Sequence, residues 1–449
     1  YPGPLDTIGK ADSAARVFFN NIWVTRRTDI DEFRYQFALG NVQSGLYVVP
    51  SYILKWPAFY NDVNFQNNLA PFVDFNGDQL YNPYDGDYPD IKGDQMAWFI
   101  FNDDCPKTET GSNTMGLEIH GTAYGYYCND GHDAISKLLS LTTFYHYDVY
   151  NRSQIDYDSC RFGMWSDFDL GNAADDFVGC DINANSFYCY NGDSLDEGFS
   201  GYGICSPIQN IQFLSCPEAP LNDGVDNNHD GFIDEANEQL GLTNFLKYPG
   251  NNLFTDDPSN KFDFYNYLSG KWLDGQSVTF GGDGRGSGTG ATSIPCNYMF
   301  PDTTDSNFGS SWTMSSANLL PDDMKGIGSV GPFNLPSGSK RSFDLAFISG
   351  PHDLLQNNLL VKQLGELFRS GQIEQYNSNV IVSGNTQIHD LASSYQYSIP
   401  NLNVGAQVIW SINNGLIING QGTSSITVSW GLNGVGELKA EIIDSLLPC

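Results

Sequence analysis

LTTFYHYDVY, residues 141–150, is the stretch on which the fold class turns. It is dominated by β-branched and aromatic residues, the types that pack well on a pleated, half-buried surface. MAWFIF (96–101) and FDLAFI (343–348) are of the same kind, and turn residues bound all three. From about residue 56 onward, short runs like these alternate with clusters of Gly, Asn, Asp and Pro, the pattern of a β-sandwich or barrel with long loops. The expected fold is mainly β: a large, loop-rich, β-sandwich-type domain with a few helices.

Two segments outside this rhythm read as helix. TDIDEF (28–33) has a Thr at its start and acidic residues in what would be a first turn, so it predicts a capped short helix. Residues 354–377 space Leu355, Leu359, Leu360, Leu364, Leu367 and Phe368 at helical intervals, which predicts an amphipathic helix packed on the β domain. Beyond it a new rhythm begins. Val380 and Val382, then residues 395–399, 408–412, 426–430 and 438–442, form five short strand-like runs separated by Asn/Gly turns, as in a compact sandwich. The expected division is 1–353 for the main domain, 354–378 for the closing helix and 379–449 for the small sandwich.

With 449 residues, 40% of them apolar and 14% aromatic, the chain has ample core material for two or three domains. Its 21 basic residues face 53 acidic ones, a formal charge of −32, which excludes nucleic acid and anionic lipid as general partners. So many like charges resist compaction unless cations bind among them.

The nine cysteines include no C-x-x-C pair and no Cys/His cluster at zinc spacing. Eight lie between Cys105 and Cys296, an even number clustered in one region, which points to disulfides formed in an oxidising compartment. The short-loop pairs Cys180–Cys189 and Cys205–Cys216 are the candidates. No run approaches the roughly 18 apolar residues of a membrane span. No signal peptide opens the chain, so Tyr1 reads as a mature or trimmed end, and Cys449 directly after a strand-like run reads as a point from which the natural protein continues.

The strongest chemical signal is DFNGDQLYNPYD (74–85). Asp74, Asn76, Asp78, Asn82 and Asp85 occupy positions 1, 3, 5, 9 and 12 of a twelve-residue calcium loop, and Leu80 offers its carbonyl at position 7. Calcium takes about six to eight hard oxygen ligands, and alternate residues of a tight turn supply them. Position 6 is Gln79 where glycine normally makes the sharp turn. DNNHDGFIDEAN (226–237) repeats the pattern with Asp226, Asn228, Asp230, Gly231, the Phe232 carbonyl and Asp234. Its position 12 is Asn237, which leaves Glu235 or Glu238 to complete the shell, with Asp223 close upstream. Without metal, such loops hold themselves as Asx turns.

A third acidic cluster comprises Asp167 and Asp169, then Asp175, Asp176 and Asp181. On an extended segment Asp167 and Asp169 share one face. Another calcium site, a glycosidase-type carboxylate pair and a solvated loop all remain open. No nucleophile elbow, zinc-protease helix or cysteine-protease signature is present. His146, in an aromatic strand, reads as a packed core residue, and His229 as a variable calcium-loop position. GGDGRGSGTG (281–290) lacks the Lys-Ser/Thr of a phosphate loop and reads as a flexible surface loop.

Several long motifs, in order, carry a resemblance: APFVDFNGDQLYNPYDGDYPDIKGDQMAWFIFND (70–103), GLEIHGTAYGY (116–126), SDFDLGNAADDFVGCD (166–181), LNDGVDNNHDGFIDE (221–235) and FDFYNYLSGKWLDG (262–275). Together they resemble a large family of Bacteroidota proteins exported by the type IX secretion system. YQYSIPNL (395–402), VIWSINNGLIINGQGTSSITVSWG (408–431) and GELKAEIID (436–444) resemble a PKD-like module, an immunoglobulin-type sandwich. That resemblance implies core positions for Trp410 and Trp430 and turns at Gly415 and Gly420. It further implies an extracellular or outer-membrane destination. The O-glycosylation pattern of such bacteria fits Thr7, Ser13, Ser194, Thr303 and Ser445.

The expected function is that of a structural or adhesive surface protein stabilised by calcium and disulfides, with other surface-protein subunits or further domains as partners. A subunit of an extracellular filament is one form of it. The alternative is a carbohydrate-binding or carbohydrate-active protein using exposed aromatics and the region of Asp167 and Asp169.

Overall fold

The structure, a computed structural model, describes residues 1–60, 69–105, 108, 110–127, 134–249, 253–373, 382–385, 388, 393–399, 407–431 and 435–443. It divides into two compact units, Tyr1–Tyr126 with Leu141–Arg369, and Tyr127–Ser140 with Ser370–Cys449.

In chain order the first unit contains α1 (Ser13–Phe18), β1 (Trp23–Arg26), α2 (Arg27–Ala38), α3 (Ser51–Leu54), β2 (Phe72–Val73), β3 (Tyr88–Pro89), β4 (Gln95–Asn102) and β5 (Leu117–Gly125). Helix α4 (Ala134–Ser140) belongs to the second unit. The first unit resumes with β6 (Thr142–Asn151), β7 (Tyr157–Phe168), β8 (Asp176–Asp181), β9 (Ser186–Asn191), β10 (Ile208–Ser215), β11 (Asn244–Tyr248), α5 (Lys261–Leu268), β12 (Met324–Leu335), β13 (Lys340–Gly350) and α6 (Leu354–Arg369).

The fold is mainly β. The three runs read first from the sequence are β4, β6 and β13, and they lie in one eight-stranded antiparallel sheet of order β1-β4-β5-β6-β13-β10-β9-β8. A three-stranded sheet, β11-β12-β7, faces it. Between them Phe162 of β7 stacks on Phe343 of β13 at 4.1 Å, and Phe187 of β9 on Phe245 of β11 at 5.2 Å. These rings lie at the centre of one large apolar cluster, the core of a sandwich. Strand alternation turns Phe343 and Leu345 into it, so the intervening Asp344 points to the opposite face.

The outer edge of β8 is closed. Its backbone bonds to the segment that follows α5: the Cys180 N–H donates to the Phe300 carbonyl at 3.2 Å, and the Asp322 N–H to the Asp176 carbonyl at 3.3 Å. Helix α6 packs on β10 and β13 through a face that includes Asn357, Val361, Leu364 and Gly365. The buried stripe differs from the leucine pattern, because Leu355 and Leu359 are exposed. Gly365 admits the Gln212 side chain, whose amide donates to the Val361 carbonyl at 2.9 Å, so a polar strand residue selects the helix face. Helix α2 starts at Arg27, and Thr28 is not its cap: the chain leaves β1 in extended conformation at Arg26 and turns directly into the helix.

Residues 281–285 are tied to the core by hydrogen bonds, while 286–290 lie at the surface. Trp272 and Trp312 donate from Nε1 to the carbonyls of Gly284 and Gly282 at 3.1 and 3.2 Å. The Asp283 carboxylate accepts from the N–H groups of Arg285 and Ser287 at 2.9 and 3.1 Å. Gly282 has φ +59°, and a Cβ there would lie 1.9 Å from the Ser287 carbonyl oxygen, so only glycine fits. Glycine is used here for close backbone approach. Asp283→Ala removes the acceptor of two N–H groups and is expected to cost about 0.5–1.5 kcal/mol in denaturant titration.

Among the described residues neither candidate disulfide is formed: Cys180, Cys189, Cys205 and Cys216 are thiols, as are Cys160 and Cys296. Cys180 pairs with Phe187 and Cys189 with Val178, which makes the two cysteines diagonal neighbours. Such Cα atoms stand roughly 7–8 Å apart, beyond the span of a disulfide. Cys205 and Cys216 lie at opposite ends of β10, roughly 25 Å apart at strand rise. Cys128 and Cys449 lie outside the described residues.

In the second unit β14 (Ser383–Gly384), β15 (Tyr395–Ser398), β16 (Gln407–Asn413), β17 (Gly415–Asn419), β18 (Ser425–Trp430) and β19 (Glu437–Ile443) form a four-stranded sheet, β14-β15-β18-β17, and the pair β16-β19. Tyr397, Val408, Trp410, Ile426 and Val428 share one core between them. Trp430 is half-buried and donates to the Tyr397 hydroxyl at 3.0 Å. Gly415 is not a turn residue. It opens β17, and the left-handed turn is made by Asn414 at φ +58°, whereas Gly420 does turn at φ +92°. Val380 lies outside the described residues. No helix among the described residues is long and apolar enough to cross a membrane.

Candidate functional site

The first calcium-type loop joins β2 to β3. Asp74 accepts from the N–H groups of Gly77 and Gln79 at 2.7 and 2.8 Å, Asn76 from that of Asp78 at 3.0 Å, and Asp78 from that of Leu80 at 2.8 Å. These bonds curl the chain so that alternate oxygens face one centre. One oxygen each of Asp74, Asp78 and Asp87 lies within 4.8 Å of the others. Among the described residues no other three His, Cys, Asp or Glu side chains meet so closely. Gln79 takes glycine's role with φ +64°, a backbone state that costs a side-chain-bearing residue on the order of 1 kcal/mol.

The closing carboxylate is Asp87 and not the expected Asp85. Residues 83–85 form a 3₁₀ turn and Gly86 follows at φ +106°, which carries Asp85 outward, where it accepts from the Asn82 amide at 2.6 Å. Asp87 is fully buried and accepts from the N–H groups of Phe75 and Asn82, both at 2.8 Å. A Cβ at position 86 would strike the Phe37 ring at 2.7 Å, so this turn requires glycine.

The second loop repeats the scheme. Asp226 accepts from the N–H groups of Asp230 and Gly231 at 3.1 and 2.9 Å, Asn228 from that of Asp230 at 2.9 Å, and Asp230 from that of Phe232 at 2.9 Å. Buried Glu238 accepts from the Asn227 N–H at 2.5 Å, the counterpart of Asp87 with Phe75. Asp234 instead accepts from the Gly224 N–H at 3.1 Å, and Asn237 sits in left-handed backbone at φ +64°. Glu235 accepts from the Asn228 amide at 2.7 Å. The second carboxylate oxygens of Glu235 and Glu238 are buried with no hydrogen-bond partner, a state that a cation would relieve. His229 is no idle loop position, since its Nδ1 meets the Asn185 side chain at 2.8 Å. The first loop fits calcium, which Asp74, Asn76, Asp78, Asp87 and the Leu80 carbonyl would hold; in the second loop the carboxylates of Asp226, Asp230 and Glu238 do not draw together so closely, so only the turn scheme is repeated there.

The third acidic cluster separates into three places. Asp167 pairs in register with Lys325 on the three-stranded sheet, and burial together with the charges of Asp167 and Asp169 raises the pKa of Asp323. Asp175 and Asp176 lie near Asp196, and burial pushes Asp176 up to about 8, aided by both neighbouring carboxylates against the Leu170 N–H. Asp181 caps a separate turn through the Ala184 N–H at 3.2 Å.

A polar constellation missed in the sequence lies on the face of the eight-stranded sheet turned away from the sandwich core. Three strands set residues side by side: Glu118, His120 and Thr122 on β5 pair with Tyr150, Asp148 and His146 on β6, which pair with Lys340, Ser342 and Asp344 on β13. Glu118 is buried and accepts from Arg152 at 2.6 Å and from the Leu5 N–H at 2.6 Å, with His120 Nε2 at 2.8 Å. Burial opposes its charge, but these partners hold the carboxyl below the usual glutamate range. His146 stands between Asp344, 2.8 Å from Nδ1, and Asp148, 3.4 Å from Nε2. A cleft of 360 Å³ opens over this face, between residues 69–72 and strands β4 to β6.

Burial works against a charged ring at His146, yet the hydrogen bonds to Asp148 and Asp344 prevail and raise its pKa from 6.5 to about 9. The stability it contributes is complete below its unfolded value and is lost as pH rises through about 9. A loss on the order of 3 kcal/mol is expected across that window. Denaturant titrations between pH 6 and 10 are expected to converge for wild type and His146→Gln as pH rises.

The signal in the sequence was the alternation His146, Asp148, Tyr150, Arg152, four polar groups on one side of a strand whose other side is Tyr145, Tyr147 and Val149. No protein-family model matches the chain, and no curated protein matches it either.

Proposed function

We propose that this chain is a calcium-loaded structural or adhesive protein of a bacterial cell surface, exported by the type IX route, with an immunoglobulin-type PKD-like second unit. The observation that carries this reading is the shared bond scheme of two loops 152 residues apart (Asp74 and Asp226), each closed by a buried carboxylate. Calcium at both would cancel part of the −32 charge and lock long loops onto the sandwich. Further domains or neighbouring subunits, as in a filament, are the partners this reading implies. Thr7, Ser13, Ser194 and Thr303 are exposed, as glycan acceptors must be, while Ser445 lies outside the described residues.

The test is melting under calcium titration. Each site filled at a hundredfold excess over its Kd adds about 2.7 kcal/mol, so chelator is expected to lower the midpoint and calcium to restore it. Asp74→Ala combined with Asp226→Ala should abolish the response. Identical melting in chelator and in calcium overturns the reading.

A further inference from the structure

We infer that the cleft over β5 and β6 binds one residue of a neutral sugar, a function beyond the calcium scaffold. Its lining mixes two kinds of group: Leu69, Pro71, Phe72 and Trp98 are apolar, and Asp90, Lys92, Thr122, His146 and Asp148 carry hydrogen-bonding groups. A pyranose offers the matching mixture, with apolar C–H faces and a rim of hydroxyls that both donate and accept.

Charge narrows the ligand further. In a chain at −32, the cleft sets two carboxylates, Asp90 and Asp148, against two cations, Lys92 and the imidazolium of His146. Its balance disfavours an ion as ligand and suits a neutral molecule with many hydroxyls. The volume of 360 Å³ falls at the small end of ligand pockets, about 300–1,000 Å³, so a single ring is the appropriate size.

The polar lining is fixed in advance. Asp148 is held by Ser342 at 2.5 Å and Lys340 at 3.0 Å, and both nitrogens of His146 face carboxylates. Groups committed in this way orient hydroxyls without reorganising.

The experiment is ligand-observed NMR titration of the full chain with glucose, galactose, mannose, xylose and N-acetylglucosamine, with glucuronate as an anionic comparison. Saturable binding of a neutral sugar with Kd at or below about 1 mM is expected. Asp90→Ala with Lys92→Ala should weaken it at least about tenfold, about 1.4 kcal/mol, without lowering the melting midpoint. Thr122→Val, which keeps the side-chain shape, should weaken it severalfold and serves if the double variant fails to fold. No neutral sugar binding, preference for glucuronate, or loss of binding on Trp165→Ala at the other sheet would overturn the assignment. Binding measured in chelator on still-folded protein separates this result from the fate of the calcium reading.

Discussion

Glu118→Ala is expected to destabilise the first unit by about 3–5 kcal/mol, the usual cost of removing one member of a buried ion pair. The carboxylate is 1% exposed and Arg152 8% exposed, so the guanidinium left behind has no ready access to water. Its other neighbour, the Tyr150 ring 4.3 Å away, offers only a weaker cation–π attraction. The Leu5 N–H also loses its acceptor, which unpins the N-terminal segment. Glu118→Gln keeps the shape but not the charge and should fall between. Replacing both partners at once, with Glu118→Leu and Arg152→Met, should recover part of the loss. Denaturant titration of the set decides the matter: a cost under about 1 kcal/mol for Glu118→Ala would mean that the pair is effectively solvated.

Asp87→Ala is the second large effect, about 1–3 kcal/mol, because the partly buried N–H groups of Phe75 and Asn82 both lose a buried acceptor. Phe75 and Asn82 donate to it from opposite sides of the loop, so its loss releases the whole hairpin between β2 and β3. Asp85→Ala, at an exposed carboxylate with one side-chain partner, should change stability by less than about 1 kcal/mol. The contrast assigns the closing role within the loop. On the calcium reading, Asp87→Ala also removes half of the calcium-dependent gain in melting, and Asp85→Ala leaves it intact.

The strands were legible because β4, β6 and β13 are dense in residues that only a buried sheet accommodates, and the loops because oxygen side chains at every second position have a recognisable spacing. Glu238 of the second loop was among the residues the spacing offered, but the closing carboxylate of the first loop was not legible. Asp87 reaches the site only after a 3₁₀ turn and a left-handed glycine have added two residues to the frame, an event of backbone geometry that spacing does not encode. His146 was read as a packed core residue because its neighbours are aromatic, whereas strand alternation turns it away from them and toward Asp344, far along the chain. The cysteine count pointed to disulfides, but register puts Cys180 and Cys189 on a diagonal. In each case a local pattern was sound and a long-range register decided its meaning.

The closed edge of β8 constrains how copies of this chain can meet. An open edge of a large sheet is a template on which another strand can add, and repeated addition leads to fibres. Here the Asp176 carbonyl and the Cys180 N–H are already engaged by Asp322 and Phe300. At the opposite end β1 has only four residues and finishes at an arginine. Neither border of this sheet invites continuation, so self-association that uses it has to proceed through side chains, and crowding of copies against it does not lead to cross-β polymerisation.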